Sequence, residues 1–127
     1  MLTIVNLVGT ALVFIAFGLW GLLDPAGMVA NLGLQITDPS GATAIRAIYG
    51  GFLIGLGAFI LFCAAHPDRR RTGLFALLII VSTILATRLL GWTLDAFPTS
   101  LQAAYAGIEA FSVIVTSALL RTNRAQT

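Results

Sequence analysis

The sequence has no lysine at all, and only 9% of its 127 residues carry a charged side chain. A soluble domain carries roughly 25% charged residues, so this chain has too few charges to cover a surface that faces water. What it has instead is a hydrophobic fraction of 58% and a mean hydropathy of +0.98. This composition predicts an integral membrane protein, and the length allows a single domain over residues 1–127.

Residues that hold metals or carry out catalysis are equally scarce. Cys63 is the one cysteine and His66 the one histidine, too few for a zinc site, so we expect no metal and no cofactor. The sequence contains no P-loop, no glycine-rich dinucleotide turn and no nucleophile–base pair, and its arginines are not grouped with aromatic residues as in nucleic-acid-binding domains. We therefore predict no catalytic residues, no enzymatic activity and no nucleic-acid partner; an acid–base enzyme would have to use Glu109 with Tyr105.

Four long apolar runs dominate the chain. A bilayer core about 30 Å thick requires about 20 apolar residues in a helix. Backbone groups in lipid must hydrogen-bond within their own segment, so each run should be helical. The first run is longer than the apolar core of a signal peptide and has no basic residue before it, so we expect it to be retained. The sequence thus predicts an all-α fold, an antiparallel bundle of four transmembrane helices at Leu2–Leu23, Thr43–Ala65, Gly73–Leu94 and Ser100–Leu120.

The distribution of charge predicts the orientation of these helices. Five of the seven arginines lie between the second and third runs and in the C-terminal tail, at Arg69–Arg71, Arg121 and Arg124. The other two connections contain Asp24, Asp38 and Asp95 and no basic residue. By the positive-inside rule, both termini are expected in the cytoplasm, and the protein in the inner membrane of a bacterium.

The connection between the first two runs contains helix-start signals. Asp24-Pro25 and Asp38-Pro39 each pair an N-cap residue with proline at the first helical position. The first signal predicts a short interfacial helix, Pro25–Asn31, that lies on the outer membrane surface and stops at Gly33. The second would start the second span slightly before its apolar core. A tight turn at Asp95–Thr99 would make the third and fourth spans antiparallel neighbours.

Two charged residues lie deep within predicted spans and should face each other. At 1.5 Å per residue, Arg88 lies about 9 Å and Glu109 about 14 Å below the outer end of its helix. Helical side chains lean toward the N-terminus of their own helix, so these two side chains lean toward each other on antiparallel neighbours. We predict a forked ion pair between Arg88 and Glu109.

The predicted pair belongs to a larger polar set in the outer half of the bundle. Arg46 lies close to the outer surface, where Asp24, Asp38 or Asp95 could pair with it. On the fourth span, Gln102, Tyr105, Glu109, Ser112 and Thr116 form one stripe, whereas Asn6 and Thr10 share a face at the cytoplasmic end and are expected to be separate. Two interpretations remain open: an ion pair that fixes helix register, or a pocket in which two arginines outnumber one deep carboxylate and bind an anionic head group. The candidate site residues are Arg46, Tyr49, Arg88, Asp95, Tyr105 and Glu109.

A ladder of small residues on the second span, Ala47, Gly51 and Gly55, allows a close approach of helices. Such ladders serve packing within a bundle or contact with another chain, and packing within this bundle is the favoured interpretation. The alternative is a homo-oligomer or a membrane-protein partner on this face.

Several of these segments resemble a known family. They are Gly21-Leu-Leu-Asp-Pro25, Ile45-Arg-Ala-Ile-Tyr-Gly-Gly51, Arg88-Leu-Leu-Gly91 with Asp95, and Glu109. Together they resemble an uncharacterised family of small four-helix bacterial membrane proteins, a domain of unknown function distantly similar to the DoxX proteins. The resemblance implies the four-helix fold and no particular activity.

These features favour a non-enzymatic inner-membrane protein that binds a lipid or other amphiphile, or is an accessory subunit of a larger membrane complex. The alternative is a small transporter or proton-coupled permease. A proton path would have to use the few hydroxyl side chains in the inner halves of the spans, which is a thin set for a relay.

Overall fold

The computed structural model of the chain describes residues 1–95 and 98–124, with side chains through residue 122. This part of the chain is all-helical. Four of its helices are long and apolar enough to cross a membrane, as predicted. The helices are α1 (Leu2–Leu23), α2 (Pro25–Ala30), α3 (Pro39–Ala65), α4 (Arg70–Leu94) and α5 (Ser100–Arg124), with a short 3₁₀ helix, Pro67–Arg69, before α4.

Both predicted N-caps are present. The Asp24 carboxylate accepts a hydrogen bond of 2.9 Å from the Gly27 amide, and the Asp38 carboxylate accepts one of 2.7 Å from the Ser40 amide. Hydrogen bonds from the Ser40 hydroxyl and amide hold the pKa of Asp38 below its usual value because they favour the charged carboxylate. The cap therefore stays charged at neutral pH and is lost only as the pH falls through that lowered pKa.

Some helix boundaries differ from the predicted ones by one to four residues. α2 ends at Ala30, and Gly33 follows with a φ of +75°, a conformation that glycine adopts readily. The second span begins at Pro39, before its apolar core at Thr43, because Asp38 caps it, and this confirms the start predicted from Asp38-Pro39. The predicted turn at Asp95–Thr99 includes residues 96 and 97, which lie outside the described residues.

The helices associate mainly as two pairs, α1 with α3 and α4 with α5. Glycines bring the first pair close together. A Cβ added at Gly57 would lie 2.8 Å from the Ala11 carbonyl oxygen, and one at Gly18 would lie 2.7 Å from Cγ1 of Ile54. Any larger side chain at these positions would push α1 and α3 apart.

The predicted packing role of the Ala47–Gly51–Gly55 ladder is wrong. All three residues are exposed, and a Cβ at Gly55 would have nothing within 4 Å. The face of α3 that meets α1 instead contains Gly50 and Gly57, seven residues apart. The ladder therefore lies on a side of α3 that the described part of the chain leaves uncovered.

A π-helical segment, Arg46–Phe52, interrupts α3 near its N-terminal end. A π-helix contains more residues per turn than an α-helix. The segment therefore changes which side chains of this part of α3 face α1, and it contains two of the candidate site residues, Arg46 and Tyr49.

The best-packed part of the protein lies at one end. Leu7, Ile60, Leu74 and Leu77 are fully buried there, with Ala11, Ala64 and Leu120 in the same cluster. This end also contains Met1, the Arg69–Arg71 turn and Arg121, and we call it the arginine end. We call the opposite end, with Asp24, Asp38 and Asp95, the aspartate end.

Candidate site: an ion pair between a cleft and a groove

Arg88 and Glu109 form the forked ion pair that the sequence predicts. Arg88 Nε donates to Oε2 of Glu109 at 2.9 Å, and Nη2 donates to Oε1 at 2.6 Å. The two side chains are 20% and 15% exposed. Both partners are thus largely buried, and the pair joins α4 to α5.

A row of aromatic contacts extends from this pair to α1. The Arg88 guanidinium lies 5.7 Å from the centre of the Tyr105 ring, within range of a cation–π interaction. The Tyr105 ring meets the Phe17 ring edge to face, with 6.3 Å between centres. Tyr105 is thereby in contact both with the charged pair and with α1.

Beside the pair lies a cleft of about 510 Å³. This volume falls within the range of small-molecule binding pockets. Side chains from all four long helices line the cleft, and most are apolar or aromatic. The end of α2 and the residues after it cover it at the aspartate end with Met28, Asn31 and Leu32. The lining from the long helices is Thr10, Val13, Phe14, Phe17, Trp20, Tyr49, Leu53, Val81, Ile84, Arg88, Tyr105, Ile108, Glu109 and Ser112.

The cleft runs along the seam between α1 and α5. Toward the arginine end, the seam is closed by a 3.3 Å hydrogen bond that the Asn6 side-chain amide donates to the Thr116 hydroxyl. Thr116 is only 1% exposed. Toward the aspartate end the Phe17–Tyr105 contact joins the same two helices. Thr10 lies between these two closures and lines the cleft, so the expectation that it is separate from the site is wrong. Its position follows from the helical repeat, because Thr10 lies four residues before Phe14 and seven before Phe17 and so shares their face of α1.

On the other side of Arg88 is a groove between α4 and α5 with a volume of about 550 Å³. Asp95 lines this groove together with Gln102 and Trp92, and the Trp92 indole donates a 3.3 Å hydrogen bond to Gln102. Arg88 lines both the cleft and the groove. The predicted site residues are thus divided: Tyr49, Tyr105 and Glu109 line the cleft, and Asp95 lines the groove.

Arg46 lies apart from both cavities. Its Nε donates a 3.1 Å hydrogen bond to the Leu22 carbonyl oxygen, and the residue is exposed. The final carbonyls of a helix lack intrahelical partners, so the end of α1 offers Arg46 a nearby acceptor. The predicted pairing with Asp24, Asp38 or Asp95 is absent from the described residues, and so is a second arginine beside Glu109.

Sequence reasoning missed the aromatic wall of the cleft. Phe14, Phe17 and Trp20 recur every third residue along α1 and line one side of it. Such spacing marks one helix face, but in a helix that is apolar all round it does not distinguish a cleft from lipid.

One polar atom in this region has no partner. The hydroxyl oxygen of Ser112 is buried and makes no hydrogen bond with the described residues. Ser112 lines the cleft one helical turn beyond Glu109. A buried hydrogen-bonding group therefore stays unused beside the cleft.

Comparison with protein families matches residues 2–120 to a domain of unknown function, DUF4345. The match covers nearly the whole chain, so the chain belongs to this family. No curated protein and no solved structure matches the chain.

Proposed function

We propose that the protein is a non-enzymatic component of a bacterial inner membrane that binds a lipid or other amphiphile in the cleft. The proposal rests on one observation. All four long helices line a largely apolar cleft, and one charged pair lies on the wall of this cleft. Ligand pockets typically combine a hydrophobic lining with a few polar groups that orient the ligand.

The proposal includes an arrangement in the membrane. The four long helices form an antiparallel bundle with both termini in the cytoplasm, because the arginine end contains most of the basic residues. The cleft then lies in the outer half of the bilayer, and α2 lies at the outer surface. Amphiphiles of the outer leaflet would reach the cleft from the side, along the α1–α5 seam.

The fully buried cluster at the arginine end argues against transport by a single chain. Leu7, Ile60, Leu74 and Leu77 fill the region between the cleft and that end. A route for a polar substrate would have to pass through this packed apolar layer. We therefore place the transporter or permease hypothesis behind amphiphile binding.

The exposed face of α3 favours a second candidate function, an accessory subunit of a larger membrane complex. Ala47, Gly51 and Gly55 lie together on this face and would let another helix approach closely. The same face could also hold a second copy of the chain.

The test is purification from native membranes in polymer nanodiscs, followed by mass spectrometry of the retained lipids and proteins. In Ser112→Leu a larger apolar side chain occupies part of the cleft and removes a hydroxyl that has no partner. In the matched control Thr83→Leu, a hydroxyl residue on the exposed side of α4 is replaced. We expect one enriched amphiphile with the wild type and with Thr83→Leu, and its loss with Ser112→Leu.

Two other outcomes have defined meanings. The same lipid mixture from all three proteins would contradict amphiphile binding in the cleft. A stoichiometric protein partner that is lost in Gly55→Leu and kept in Ser112→Leu would instead support the accessory-subunit candidate.

A further inference from the structure

We infer that the amphiphile bound in the cleft has an uncharged, hydrogen-bond-accepting head on an acyl or isoprenoid chain. This inference rests on the proposed function and specifies its ligand class. Its basis is the charge of the cleft wall and the hydrogen-bonding capacity that the wall leaves free.

The charges on the cleft wall cancel. Among the described residues that line the cleft, Arg88 is the basic group and Glu109 the acidic one, and the two are paired with each other. Arg46 is bonded to the Leu22 carbonyl, and Asp95 lines the groove on the far side of Arg88. The positive surplus that would attract an anionic head group is therefore absent.

An anionic head would also have to compete with Glu109. The fork on Arg88 is already occupied by both oxygens of that carboxylate. A phosphate or carboxylate that displaced Glu109 would leave a largely buried charge without a counterion, which is strongly unfavourable. An anion beside the intact pair would instead face the Glu109 carboxylate at close range, where like charges repel.

An uncharged head avoids both costs and still finds hydrogen-bond donors. A guanidinium carries five N–H groups, and two of those on Arg88 are directed to Glu109. The hydrogen bonds of Arg88 to the described residues use Nε and Nη2, so the Nη1 N–H groups are left without a hydrogen-bond acceptor there. An ester carbonyl or an alcohol oxygen can accept from these donors without disturbing the ion pair.

The rest of the cleft suits an apolar chain. Phe14, Phe17 and Trp20 form one wall, and Leu53, Val81 and Ile84 are on the others. A chain that lies along the α1–α5 seam would contact these side chains with its head beside Arg88.

The experiment uses two matched pairs of probes on the full-length protein in nanodiscs. Monopalmitoylglycerol is compared with its phosphate, and geranylgeraniol with its phosphate, so the two members of each pair have the same chain and differ by one charged phosphate group. We expect the uncharged member of at least one pair to bind more tightly than its phosphate by about tenfold or more. The pair that binds identifies the chain as acyl or isoprenoid.

Glu109→Gln is the more decisive variant because it leaves the positive charge of Arg88 without a counterion. The preference should reverse toward the phosphate in this variant. Arg46 lies in the same half of the protein and lines neither cavity. Arg46→Gln should therefore leave the preference for the uncharged probe unchanged. If Glu109→Gln does not fold, the two probe pairs measured on the wild type and on Arg46→Gln decide the inference without it.

The possible failures are distinguishable. A wild-type protein that binds either phosphate as tightly as its uncharged partner overturns the inference and leaves amphiphile binding standing. Binding of none of the four probes, in a protein that also retains no enriched lipid, overturns the proposed function itself.

Discussion

Arg46 and Arg88 lie in the same half of the molecule but differ in their partners. Arg46 is exposed and needs one acceptor, which the free carbonyl of Leu22 supplies. Arg88 lies about a turn and a half from the end of its helix, where exposed carbonyls are absent, and its partner is the carboxylate of Glu109. Depth, more than charge, decides which arginine requires an ionised partner.

Glu109→Gln should lower the free energy of unfolding by about 1–3 kcal/mol because it leaves the Arg88 guanidinium without its counterion in a largely buried position. The measurement is reversible unfolding in mixed detergent micelles.

The matched control is the double variant Arg88→Leu/Glu109→Leu, which removes both charges together. It should be close to the wild type in stability, since no buried charge is left unpaired. A double variant as unstable as Glu109→Gln would show that the pair itself, rather than the orphaned charge, accounts for the loss.

The ion pair could be predicted from sequence because depth and side-chain direction are simple functions of residue number in a helix. The partner of Arg46 could not, because a backbone carbonyl leaves no trace in the sequence. The free hydroxyl of Ser112 is equally invisible, since its isolation depends on how α5 turns toward α1.

At the scale of helices, contact between α1 and α3 depends on where glycine allows backbones to approach. Gly57→Ala should destabilise the protein by about 1–3 kcal/mol through overpacking, because its Cβ would meet the Ala11 carbonyl and Ile15. Gly55→Ala, two residues away, places its Cβ in open space. It should be neutral or slightly stabilising, by at most about 1 kcal/mol.

The same unfolding assay in detergent checks this pair of variants. Equal effects at the two positions would contradict the assigned α1–α3 contact. Loss of a co-purifying chain in Gly55→Ala, with stability unchanged, would support contact between the exposed face of α3 and another helix.

Helix number and capping could be predicted because length, apolarity and the Asp-Pro pairs are local properties. The buried face of α3 could not. A helix that is apolar all round has no polar side to reveal its orientation, so the Ala47–Gly51–Gly55 ladder and the Gly50–Gly57 face look equivalent in the sequence. The π-helical segment adds to the difficulty because it breaks the regular repeat.

The whole molecule is asymmetric along its long axis: packed at the arginine end and cleft-bearing toward the aspartate end. The proposed orientation makes a direct prediction. A membrane-impermeant maleimide added to intact cells should label Gln35→Cys and should label Thr72→Cys only after the cells are permeabilised. Both positions are exposed, whereas the native Cys63 is 1% exposed and should give little background.

The reverse labelling pattern would place the cleft in the cytoplasmic half of the bilayer and overturn the proposed orientation. Labelling of both positions in intact cells would indicate a mixed population of orientations.

The π-helical segment Arg46–Phe52 also bears on how the chain can tolerate changes in length. A π-helix turns less per residue than an α-helix, so over seven residues its total rotation is smaller by about the rotation of one α-helical residue. Deleting one residue there, such as Gly51, would let the remaining six form a regular α-helix while Gly57 and Ile60 still face α1. A single-residue deletion in the middle of the α-helical part of α3 would turn everything beyond it by about 100°, so the π-helical segment should tolerate the loss of a residue better than that part of the helix.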